Sequence, residues 1–148
     1  MRNVRFLTAL CAALGWNAGA AQVSSNGAAY RVECSADPAE GCRADLATYV
    51  GWRVFQAQCA ACHAADALGS SFAPDLTERM RGMEQRDFVA ALDRGYLGSR
   101  STMPPRGRDP NVAPYYDELW AYLLARRDGA LVPGRVERLP EPGASDTR

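Results

Sequence analysis

The sequence predicts an all-α domain on three observations. Apolar residues recur with helical spacing in separate stretches between residues 45 and 127, no stretch alternates apolar and polar residues as a half-buried strand would, and no segment repeats. From Asp45 the pattern is helical, with Leu46, Tyr49, Val50 and Val54 on one face and Gly51 one turn before Phe55. A helical glycine costs about 1 kcal/mol relative to alanine, so Gly51 predicts another backbone passing close by. A second helix is predicted over 84–94, where Phe88, Val89 and Leu92 form a stripe and Gly95 offers a cap, with a shorter turn over 77–81. Residues 95–112 hold Gly95, Gly98, Gly107, Pro104, Pro105 and Pro110 and read mostly as loop. The last helix runs over 114–127, with Pro114 acceptable at a first position, Tyr116, Leu119, Trp120 and Leu123 on one stripe, and Gly129 as the stop.

At the end of the first helix stands Cys59-Ala60-Ala61-Cys62-His63, which contains the one histidine of the chain. Cys-x-x-Cys-His is the attachment signature of a c-type haem. On one helical turn, Cys59 and Cys62 can each form a thioether to a vinyl group while His63 reaches the iron from the same side. Cys-x-x-Cys also serves zinc and dithiol chemistry. A structural zinc needs further ligands, usually a second close pair, and Cys34 and Cys42 are spaced too widely to look like one. A redox pair is expected beside a strand in a βαβ pattern, whereas helix precedes Cys59.

The ends of the chain differ in composition from the middle. Arg2 and Arg5, the apolar run from Phe6 to Trp16 and the small residues Ala18-Gly19-Ala20 predict a signal peptide over 1–20, and hence a periplasmic product without a membrane span. Cys11 would be lost with it. The chain has seventeen basic and seventeen acidic residues, and loss of Arg2 and Arg5 leaves fifteen against seventeen, a net charge of −2. That balance excludes a nucleic-acid binder. Residues 21–44 are expected to form an extension outside the core, 45–128 the domain, and 129–148 a Pro-rich tail with little apolar surface. In an exported chain Cys34 and Cys42 are predicted to pair and close a loop over 35–41, the alternative being two free thiols.

A low-spin electron carrier also needs its sixth iron position filled. Met80, Met83 and Met103 are the candidates of the exported part. Met80 and Met83 lie near the middle helix, where methionine is commonly core filler. Met103 sits in Thr102-Met103-Pro104-Pro105, far enough beyond His63 for the chain to pass the haem edge and return on its other face, and it is the ligand chosen. A free sixth position or another of the methionines remains the alternative. The carbonyl of Pro74, in Ala73-Pro74-Asp75-Leu76, is the expected acceptor for the second ring nitrogen of His63. Arg94, Arg100 and Arg106 could meet haem propionates, and none is assigned.

Taken together these residues resemble class I cytochrome c. In that family an N-terminal helix with Gly-x-x-x-aromatic crosses a C-terminal helix ending in Leu-x-x-Tyr-Leu; Gly51 with Phe55 and the stretch Leu119-Trp120-Ala121-Tyr122-Leu123 occupy those places. Its Pro-x-Leu corresponds to Pro74 and Leu76, and its methionine loop to Met103. The resemblance implies three to four helices around one covalently attached haem c. A narrower similarity joins Thr48-Tyr49, Phe72-Ala73-Pro74, Asp87-Phe88-Val89, Pro110-Asn111-Val112, Tyr116 to Arg126, and Gly129-Ala130-Leu131 with Gly134-Arg135 to the cytochrome c-L type. Those proteins accept electrons from dehydrogenases of methanol and related alcohols that use pyrroloquinoline quinone (PQQ). It implies a carrier of single electrons from such a dehydrogenase to a downstream cytochrome or oxidase, and no catalysis of its own. A haem enzyme or gas-binding cytochrome with an open iron position is the alternative.

Overall fold

Asp45 fixes the start of the first long helix: its carboxylate accepts the Thr48 N–H at 3.0 Å and caps α1, Leu46–Gln58. The computed structural model describes residues 22–23, 29–98 and 102–141. The expected signal peptide, its cleavage site and Arg100 lie outside the described residues. After α1 come the single turn α2 (Ala60–His63), the short α3 (Leu76–Arg79), α4 (Gln85–Arg94) and α5 (Tyr116–Arg127). A 3₁₀ turn over Ala113–Tyr115 contains Pro114, so the last α-helix starts two residues later than its proline suggests.

α1 and α5 cross at Gly51. A Cβ built there would collide with the carbonyl of Glu118 and stand 3.0 Å from the Cβ of Tyr122, so the expected close approach of backbones is present. One turn on, Phe55 stacks in a tilted pair with Tyr122, ring centroids 5.1 Å apart. Phe88 of α4 meets Trp120 in the same way at 5.4 Å. Every residue from Leu119 to Arg126 is buried, so α5 runs through the centre of the core. Met80 is buried there too, as its reading as core filler requires.

The ends of the chain depart from expectation. Val32–Cys34 (β3), Cys42–Ala44 (β4) and Val136–Arg138 (β7) form a three-stranded sheet, β3 antiparallel and β7 parallel to β4. Cys34 and Cys42 face each other in register and are joined by a disulfide, as predicted. Tyr30, Cys42 and Ala44 belong to the core, and Leu131, Val136 and Leu139 are buried, so neither segment stands apart from the domain. The cause is cooperation between the two ends. Each brings only a few apolar side chains, too few to show as a pattern, and both bury them against the helices once β4 and β7 pair. Two-residue pairings join Gln22–Val23 (β1) to Ala29–Tyr30 (β2), and Tyr96–Leu97 (β5) to Thr102–Met103 (β6). Among the described residues, no helix is long and apolar enough to cross a membrane.

Candidate functional site

The motif occupies a bend between two helices. α1 ends as the Cys59 N–H bonds the carbonyl of Phe55 at 2.8 Å, and the carbonyl of Cys59 accepts the N–H of Cys62 and of His63 at 3.1 and 3.0 Å. That turn brings Cys59, Cys62 and His63 together. Both thiols are free, Cys59 half-buried and Cys62 exposed. His63 is buried, with Nδ1 2.9 Å from the carbonyl of Pro74. A carbonyl only accepts, so Nδ1 carries the proton and donates it, and Nε2 keeps its lone pair. The acceptor expected from the sequence is the one the fold supplies.

The loop that follows is held at each step. Ala64 and Ala67 both have φ of +62°, a conformation alanine adopts at a cost of roughly 1–2 kcal/mol. Gln56 of α1 donates to the carbonyl of Ala65 at 2.6 Å, and Tyr122 of α5 approaches it at 3.5 Å. Arg126 donates twice to the carbonyl of Asp66. The Leu76 N–H closes the loop on the carbonyl of Ala67 at 2.8 Å, and Asp75 caps α3. Gln56 and Arg126 escaped the sequence reading. The available signal for Arg126 was its place on the stripe of Leu119 and Leu123, where a charge interrupts an apolar face.

Met103 arrives from other elements. It lies on β6, opposite Tyr96, half-buried and packed against the same core as Cys59. Gly95, φ +68°, ends α4, and a Cβ there would strike the carbonyl of Met103, so only glycine allows the hairpin to fold back so tightly. Of the three arginines considered for propionates, Arg106 stands close enough to Cys59 for its charge to lower that thiol's pKa, and it pairs with Asp109 at 2.8 Å.

These residues fit a haem, and further ligands for a zinc ion are missing among the described residues. Burial, partly opposed by Arg106, pushes the Cys59 thiol up to about 11. No group of three or more His, Cys, Asp or Glu that could hold a metal ion exists among the described residues. Beside the motif and the Met103 hairpin, Leu68, Phe72, Tyr96 and Leu97 are 51, 70, 60 and 86% exposed. Apolar side chains so open, on the loop after the motif and on the hairpin of Met103, suit an apolar macrocycle.

Comparison with known proteins decides the family. Residues 46–123 match the family described as cytochrome C oxidase, cbb3-type, subunit III. The chain belongs to this family of c-type cytochrome domains. It is 32% identical to cytochrome c-555 of Methylococcus capsulatus over 104 residues, covering 70% of this chain and 81% of that one. With cytochrome c-553I of Paracoccus denitrificans it shares 39% identity over 95 residues, 62% of this chain but only 42% of the relative's length. The crystal structure of the c-type cytochrome XoxG from Methylobacterium extorquens AM1 superposes with a TM-score of 0.64 at 28% identity, over 86% of this chain and 82% of that one. Residues 46–123 alone cannot fill 86% of the chain, so the likeness takes in parts of the flanking segments. The class I cytochrome c fold, its covalently bound haem c and its class as an electron-carrying cytochrome are thereby established, with the small strands as an addition to an all-α expectation.

Proposed function

We propose that Cys59 and Cys62 carry the haem by two thioether bonds, that Nε2 of His63 is one axial ligand, and that Met103 closes the opposite side. The orientation of His63 supports this most strongly: a buried imidazole whose Nδ1–H is committed to Pro74 has one nitrogen left to give. When bound, the haem takes up and releases a single electron. The chain's part is to keep the Nδ1 proton in place, exclude water from the imidazole and present a thioether, and methionine opposite histidine raises the potential.

On this reading the protein works in the periplasm as a carrier and not an enzyme, taking electrons from a PQQ-dependent methanol or alcohol dehydrogenase and passing them to a cytochrome or oxidase. The segments resembling the cytochrome c-L type, which run from Thr48 to Arg135, support that donor. Docking is expected to be weak and transient, as redox encounters are. Mixing the haem-loaded protein with purified dehydrogenase, alcohol and PQQ tests it. Rapid appearance of the reduced haem spectrum is expected, and a spectrum that stays oxidised removes this donor. Cyanide added to the resting protein checks the closed site: no spectral change is expected, and immediate binding would mean that the sixth position is open.

A further inference from the structure

Arg126 is only 7% exposed, deep on the buried helix α5. Its Nε and Nη2 donate to the carbonyl of Asp66 at 3.1 and 2.9 Å, and its Nη1 donates to the carbonyl of Leu131. The Asp66 side chain in turn accepts the Gly134 N–H at 3.1 Å. One residue of the loop is thus held on its main chain by α5 and on its side chain by the segment after α5. Among the described residues no carboxylate lies within ion-pair distance of Arg126.

Burying a charge outside contact with a carboxylate is costly, even though the Arg126 charge is felt at longer range by Asp75, and arginine does not escape the cost by losing its proton. A neutral donor could join two carbonyls without that penalty. The position of the charge offers a reason for it. Asp66 is three residues beyond His63, at most about 11 Å by Cα steps. The field also reaches the Tyr122 hydroxyl: burial raises that phenol's pKa, Arg126 is the group that opposes the rise, and Asp66 and then Cys59 add to it.

We propose that Arg126 is a positioning residue for the redox centre, clamping the loop that follows His63 and holding beside it a permanent positive charge that favours the reduced state. Reduction adds one electron from the donor and makes the centre less positive by one charge, so a fixed cation nearby lowers the free energy of the reduced form relative to the oxidised one. The inference rests on the proposed axial role of His63.

Spectroelectrochemical titration of the haem-loaded full chain and of its R126Q and R126K variants tests it. R126Q is expected to shift the electron-sharing equilibrium about tenfold toward the oxidised form, ~59 mV for one electron. R126K, which keeps the charge and gives up the planar fork, should stay within about twofold of the parent. R126Q within twofold of the parent, with an unchanged haem spectrum, would overturn the role of Arg126 and leave His63 ligation standing. A parent protein lacking a six-coordinate haem spectrum would instead overturn the reading beneath it. Should R126Q not hold haem, R126K decides: retention of the parent equilibrium supports the role of the charge, and a tenfold fall contradicts it.

Discussion

The carbonyl of Glu118 in α5 occupies the space that a Cβ on Gly51 of α1 would need. Since α1 leads directly into Cys59 and α5 supplies Tyr122 and Arg126 to the loop beyond His63, this crossing sets the frame on which the site is built. Both backbones are fixed by helix hydrogen bonds and cannot yield locally. Gly51→Ala should therefore destabilise the fold by about 1–3 kcal/mol, the usual cost of overpacking. Denaturant titration measures it, and unchanged stability would mean that the helices separate without penalty.

The disulfide joins residues eight apart in sequence and pins the hairpin on which β7 lies. Loop-closure entropy gives such a crosslink about 2.5 kcal/mol. Cys34→Ser with Cys42→Ser should lower stability by about that amount while the haem spectrum stays unchanged. A spectrum that changes with the disulfide would show that the sheet reaches the redox site.

Met103→Ala should abolish the near-infrared sulfur-to-iron charge-transfer band of the oxidised protein, because Met80 is buried in the core and Met83 is packed against it. Persistence of the band would assign the ligand elsewhere.

Asp75 contributes to acid sensitivity. Its carboxyl is held below the ordinary carboxylate value, first by the Thr77 hydroxyl, with burial working against it and the N–H groups of Glu78 and Thr77 and the charge of Arg126 adding to it. A group whose pKa falls on folding contributes fully above its unfolded value and loses that contribution as pH drops through the folded one. The difference in melting temperature between the parent and Asp75→Asn should thus be largest at about pH 6 and shrink toward about pH 3. A constant difference would contradict the assignment.

What could be read in the sequence follows from how locally each feature is encoded. The motif, the glycine at the helix crossing and the proline whose carbonyl accepts the imidazole N–H each depend on a few adjacent residues and one general rule. Val136 and Cys42 pair from opposite ends of the chain in three-residue strands, too short to establish an alternating pattern. Arg126 was hidden for another reason. Charged side chains ordinarily mark a solvated face, and its place on the apolar stripe of Leu119 and Leu123 hints at burial without revealing the two carbonyls that it meets inside the fold.

Mass spectrometry of the exported protein after denaturation and proteolysis tests the central claim most directly. The peptide containing Cys59, Cys62 and His63 should carry one haem mass through both thioethers, and the intact protein should stay coloured in denaturant. An unmodified peptide with two alkylatable thiols, from cells that mature other c-type cytochromes, would contradict the account.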